Sequence, residues 1–176
     1  SIKNEGDIIC ILGPSGIGKT TMLRTIAGLE KVNKGEIVLK DKIISSDKIH
    51  IEPEKRNISL SFQENSLFPH YNVDKNIHLG IKKNSPSSKN INSKEIIKIL
   101  DIENILNKYP HQISAGEAQR ASLARSLISQ PELLLLDEPL SNVDQSFKED
   151  IQVALKQLLT KNKITTIVVT HDSYEA

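Results

Sequence analysis

The eight residues Gly13-Pro14-Ser15-Gly16-Ile17-Gly18-Lys19-Thr20 constrain the fold of this chain more than any other feature. They fit the pattern G-x-x-x-x-G-K-[ST] and stand between a short apolar run, Asp7 to Leu12, and a stretch of helix formers, Lys19 to Leu29. A strand, a glycine-rich turn and a helix in that order make a phosphate-binding loop. The glycines let successive backbone N–H groups point inward, and the helix N-terminus adds the positive end of its dipole. Lys19 is expected to reach the β- and γ-phosphates of a nucleotide and the Thr20 hydroxyl to ligate Mg²⁺, with Thr21 beside it among the nucleotide-binding residues. Taken alone, such a loop fits kinases, GTPases, helicases and transport ATPases equally.

The rest of the chain reads as alternating strands and helices. Leu133 to Leu136 is an unbroken leucine run, which suits a strand covered on both faces, and Thr165 to Val169 is rich in β-branched residues. Between them Phe147, Ile151, Ala154, Leu155 and Leu158 share one face at helical spacing, the mark of a crossover helix between parallel strands. These two strands and the one before the phosphate loop are expected at the centre of a mostly parallel sheet flanked by helices, an α/β P-loop NTPase core. With 176 residues the chain has room for one domain. Residues 1–63 and 133–176 are assigned to the core and about 64–130 to an inserted helical subdomain, with apolar spacing from Ile96 to Leu106. The polar, lysine-bearing stretch Lys82 to Lys94 is read as a solvated loop.

Composition narrows the partners. Lys and Arg number 23 against 22 Asp and Glu, so net charge offers no general attraction to nucleic acid, which is not expected as a partner. The single cysteine, Cys10, excludes an internal disulfide and is read as a small buried residue of the first strand. No stretch approaches the roughly 18 to 20 apolar residues that span a bilayer, and the start shows no signal-peptide pattern.

Two adjacent carboxylates, Asp137 and Glu138, follow the leucine strand at the edge where doubly wound sheets collect their ligands. Asp137 is assigned to the Mg²⁺ shell and Glu138 to the orientation or deprotonation of an attacking water. Ile113-Ser114-Ala115-Gly116-Glu117-Ala118-Gln119-Arg120 then resembles the signature of the ABC ATPase family, written LSGGQ followed by QR. Ala115 stands at the first signature glycine and Glu117 at its glutamine. Gln63 after Ile58 to Phe62, Ser141-Asn142-Val143-Asp144, and His171 resemble that family's Q-loop, D-loop and switch histidine, in the family's order.

The resemblance implies more than the loop does. Gln63 is expected at Mg²⁺ or the lytic water, and His171 at the γ-phosphate. Ser114 and Gly116 are expected to face a nucleotide held by a second cassette, in a homodimer, with Asp144 crossing the interface. ATP and Mg²⁺ are the implied ligands. Phe68 to Ile77 and Leu135 to Asp144 look like importer cassettes for iron, polyamines, sulfate, thiamine or sugars. That implies transmembrane permease subunits, a solute-binding protein, and a peripheral position on the cytoplasmic face of the inner or plasma membrane. Phe68 and Tyr71 fit either a docking groove for the permease or internal packing. A soluble ABC ATPase of DNA repair or translation, and a non-hydrolysing nucleotide sensor, are the other readings. The family's upstream adenine-stacking aromatic and first antiparallel strands are not found before Ile2, and the end at Tyr174-Glu175-Ala176 reads as the start of another helix, so a fragment is expected.

Overall fold

The computed structural model describes residues 2, 4–14, 16–62, 66–79 and 92–171. Ser15, Gln63, most of the polar stretch Lys82 to Lys94, and Tyr174 to Ala176 lie outside the described residues.

Four strands form one parallel sheet: β1 (Ile8–Leu12), β4 (Ile58–Ser61), β5 (Leu133–Asp137) and β6 (Thr165–Thr170), in the order β1-β6-β5-β4. The leucine run shows why β5 is interior. Leu133 and Leu135 pack with Leu23 and Ala27 of α1 (Lys19–Ala27) on one face. Leu134 and Leu136 join the larger core on the other, with α4 (Ala115–Ile128) and α5 (Gln145–Lys161). All five residues of β5 are buried, as a strand sandwiched between helix layers requires.

The expected placement of β1 at the sheet's centre is corrected: among the described strands it lies at the edge, paired only with β6, while β5 and β6 are central. Its composition does not reveal this, because its apolar residues still cover neighbouring layers. Cys10 is accordingly half-buried, lining a cavity of about 310 Å³ against α5 with Val168 and Leu155. A second correction concerns α5, whose buried face carries Ile151, Leu155, Leu158 and Leu159 but not Phe147. Phe147 is 37% exposed, with the Arg120 guanidinium 5.7 Å from its ring centroid, whereas the neighbouring Lys148 turns inward. The last residues of the polar stretch are also not loop: Asn92 caps α3 (Ser93–Ile99), accepting from the Lys94 N–H.

A two-stranded antiparallel hairpin, β2 (Ile37–Leu39) and β3 (Lys42–Ser45), follows α1. Its turn residues Lys40 and Asp41 both have positive φ, 48° and 61°, a conformation that asparagine and glycine favour and that these residues do not announce. After β4 come α2 (Val73–His78) and α3, and both pack on α4, which also touches β4. Among the described residues no helix is long and apolar enough to cross a membrane.

Arg56 fixes the far end of the phosphate-loop helix. It is 3% exposed, and its Nη1 donates to the carbonyls of Thr25 (3.2 Å) and Ile26 (2.9 Å) in the last turn of α1 while Nε donates to the Ile51 carbonyl at 2.6 Å. A guanidinium here answers the Ile26 carbonyl, adds a second donor to the Thr25 carbonyl already bonded by the Gly28 N–H at 3.1 Å, and complements the negative end of the dipole. Arg56→Met is expected to strand the Ile26 and Ile51 acceptors at a cost of about 3 kcal/mol. Thermal denaturation should register this as a fall in Tm of about 6–12 °C.

Candidate nucleotide site

Because β1, β5 and β6 run parallel, their carboxyl ends lie along one edge. Leu12 is in register with Thr170 and Asp137 with Val169, so the loop after β1, the carboxylates after β5 and the histidine after β6 converge. The loop after β1 turns through Gly16 (φ 83°) and Gly18 (φ 98°), the left-handed backbone that glycine accepts without strain, and Gly18 caps α1. Gly13, Pro14, Ile17, Thr20 and Thr21 lie on this loop and first turn as expected. The Lys19 ammonium folds back over the loop, donating to the carbonyls of Gly13 (2.6 Å) and Pro14 (2.9 Å). These bonds hold a positive charge over the glycine-bearing turn.

Thr20 and Asp137 meet side chain to side chain. Asp137 is 4% exposed, and burial pushes its carboxyl above the ordinary aspartate value. The Thr20 hydroxyl bond and Lys19 pull it back, while the neighbouring Glu138 charge pushes it up. Hard oxygen donors brought together, one of them a buried carboxylate whose charge lacks full solvation, fit Mg²⁺. The same burial carries a stability cost. A carboxyl whose pKa is raised in the fold weakens the folded state above that pKa, and the penalty fades as pH falls through it toward the unfolded value. Asp137→Asn is therefore expected to stabilise the nucleotide-free protein at neutral pH by about 1 kcal/mol, or about 2–4 °C in Tm. Denaturation scans should show the gain shrinking in acid.

Glu138 follows with φ 48°, unusual for a residue other than glycine. Its N–H extends the sheet ladder to the Val169 carbonyl at 2.8 Å, and its carboxylate accepts from Nδ1–H of His171 at 3.0 Å. The Glu138 side chain is 13% exposed and that of His171 57%. The two predicted catalytic groups are thus paired, with the histidine on the solvent side.

Ser114 and Gly116 open α4. Ser114 is the N-cap, its hydroxyl accepting from the Glu117 N–H at 3.2 Å, and the Glu117 carboxylate accepts from the Ser114 N–H at 2.7 Å. That bond holds the Glu117 carboxyl below the usual glutamate range. Ser114 and Ala115 are exposed, so this helix start faces outward. Asp144 is the exposed N-cap of α5, without a side-chain cap bond.

Sequence reasoning missed two buried amides that shape this region. Gln119, 2% exposed, bonds to Glu138, Ser141 and Asn142, joining α4 to the loop after β5. Asn76, fully buried on α2, donates to the carbonyls of Phe68, Tyr71 and Asn72 and accepts from the Phe68 N–H at 2.7 Å. It fixes a turn in which Phe68, His70 and Tyr71 cluster, the His70 and Tyr71 rings 4.2 Å apart and Phe68 46% exposed. Gln119 stands in the signature-like run read from the sequence, though without this role, and Asn76 shows only as a polar amide inside an otherwise apolar helix face.

A family model described as ABC transporter matches residues 3–141. The chain belongs to the ABC transporter family. This ABC chain is 39% identical over 174 residues to the Fe(3+) ions import ATP-binding protein FbpC of Fusobacterium nucleatum, covering 98% of this chain and 46% of that protein. It is 42% identical over 174 residues to the spermidine/putrescine import ATP-binding protein PotA of Bacillus thuringiensis, covering 98% and 52%. The ABC chain thus spans about half the length of the curated relatives it matches. Among solved structures it resembles the dimeric post-hydrolysis state of the ATP-binding cassette MJ0796 bound to ADP and Pi. That likeness has a TM-score of 0.83 at 30% identity, over 98% of this chain and 78% of the other. The P-loop fold expected from the sequence is that of this ABC chain.

Proposed function

We propose that this chain is the ATP-binding and ATP-hydrolysing part of an importer, working as a pair of cassettes beneath transmembrane permease subunits on the cytoplasmic face of the membrane. The observation that carries the reading is the convergence of Lys19, Thr20, Asp137, Glu138 and His171 at one sheet edge. The names of the relatives, import ATP-binding proteins, support the transport role, and the dimeric cassette supports pairing.

Each residue has work suited to its setting. The loop from Gly13 to Thr21 binds the triphosphate through backbone N–H groups, and Lys19 exchanges its carbonyl partners for phosphate oxygens. Thr20 and Asp137, with Gln63, would hold Mg²⁺, which when bound neutralises phosphate charge. Glu138 takes the proton of the attacking water, and His171 keeps the carboxylate turned toward it. Ser114 and Gly116 present a helix N-terminus outward, suited to a phosphate on the second cassette, with Asp144 crossing the interface to help position the opposite site. The exposed Phe68 cluster is the surface offered to a permease, and a solute-binding protein would deliver cargo outside.

Phosphate release by the full-length protein, co-purified with its membrane partners and stimulated by solute, tests this. Nucleotide binding without any hydrolysis would turn the reading toward a sensor.

A further inference from the structure

The helix start that faces outward and the loop that carries Glu138 are built as one piece. The Gln119 carboxamide, on the second turn of α4, reaches across to the loop 138–142. Its Nε2 donates to the Glu138 carbonyl at 2.9 Å and to Ser141 Oγ at 3.1 Å, while its Oε1 accepts from the Asn142 N–H at 2.9 Å. The Gln119 side chain is itself 2% exposed, although Ser141 and Asn142 lie at the surface, and a buried amide that loses a partner is costly. Three residues earlier, on the same face of α4, Gly116 lies against the same loop. A Cβ at Gly116 would sit 2.6 Å from the Asn142 carbonyl oxygen, so the two backbones are in direct contact. Helix and loop are keyed at two points and cannot shift separately.

Glu138 itself sits in left-handed backbone, φ 48°, which the chain does not adopt unless its surroundings impose it. Three bonds fix its backbone: the N–H donates to the Val169 carbonyl, and the carbonyl accepts from Gln119 Nε2 and, at 3.2 Å, from the Ser141 N–H. The first belongs to the sheet, the second to the signature helix and the third to the loop itself.

We propose that Gln119 is a positioning residue for catalysis. It holds Glu138 in reactive orientation and makes that orientation answer to whatever engages the N-terminus of α4. The inference rests on the proposed pairing of cassettes. In such a pair, α4 of one chain contacts the nucleotide of its partner while Glu138 acts on its own chain's nucleotide. A single rigid body then touches both nucleotides, and contact at one site sets the base at the other. Coupling of this kind is a differential free energy carried by a defined element, here the Gln119 bonds.

The test uses the full-length protein and compares the parent with Gln119→Glu and Gln119→Leu. Gln119→Glu keeps the shape and the acceptor for Asn142 but loses the amide donor to the Glu138 carbonyl. Three readouts are taken: ATP Kd by calorimetry, kcat for phosphate release, and the dependence of rate on ATP concentration. The expected result is a parent with sigmoidal ATP dependence and, in Gln119→Glu, Kd within about twofold of the parent, kcat lower by about 30-fold, and loss of that sigmoidal dependence. A role in stability alone would lower the folded fraction and leave kcat per folded protein and curve shape unmoved; that outcome overturns the proposal. If Gln119→Leu does not fold, Ser141→Ala removes one bond of the three. A threefold drop in kcat at unchanged Kd then supports the proposal, and parent kcat overturns it. An active parent with hyperbolic ATP dependence overturns the coupling between sites. A parent without hydrolysis overturns the functional reading beneath it.

Discussion

Replacing Glu138 by glutamine is expected to lower ATP turnover by about 10³-fold, the mid-range loss when a positioned general base is removed, with ATP affinity within about threefold of the parent. The structure gives the substitution this selectivity. The Glu138 N–H bonds to Val169 and its carbonyl to Gln119, neither of which involves the side chain. Glutamine has the same shape, and its amide oxygen can accept the Nδ1–H of His171 as the carboxylate does at 3.0 Å. What disappears is the capacity to take a proton. Phosphate release and calorimetric ATP binding, measured on the same preparation, check this; hydrolysis within tenfold of the parent would remove Glu138 from the role of base.

The second large effect is on binding. Lys19→Ala should weaken ATP by about 10²–10³-fold, since two charge-assisted hydrogen bonds to phosphate contribute about 3–4 kcal/mol together. The fold should survive with little change in Tm. The side chain's partners are the carbonyls of Gly13 and Pro14 on an open loop, which water can serve once the ammonium is gone. Calorimetry showing parent affinity in Lys19→Ala would take the lysine out of phosphate binding.

Much of this architecture was legible in the residues because strands buried on both faces leave uniform apolar runs. Leu133–Asp137 and Thr165–Thr170 are plain for that reason, and the glycines before Lys19 mark a turn that few other sequences can make. The position of β1 at the edge was not legible: strand composition reports which faces are covered, not which neighbours are paired. Phe147 looked like a core residue because its spacing matches Ile151, yet at the first turn of α5 it sits beyond the sheet's cover and meets Arg120 instead. The β2–β3 hairpin escaped notice because Lys40 and Asp41 occupy turn positions that sequence patterns reserve for other residues.

The same contrast runs through the site. Lys19, Thr20, Asp137, Glu138 and His171 occur in short ordered motifs, each demanding a particular functional group. Gln119, Asn76 and Arg56 act mainly on backbone groups instead. Any segment supplies such groups, so the partners leave no spacing rule to read, even for Gln119, which itself lies in the signature-like run. The residues that hold the machinery still are therefore harder to see in sequence than the machinery.

The backbone at Glu138 has an evolutionary corollary. A left-handed conformation at a non-glycine residue costs about 1 kcal/mol, and asparagine or glycine would occupy it more comfortably. Under the proposed hydrolysis, selection for turnover opposes that drift. Copies of this gene released from hydrolysis should lose the glutamate early, melting at higher temperature as they fall silent.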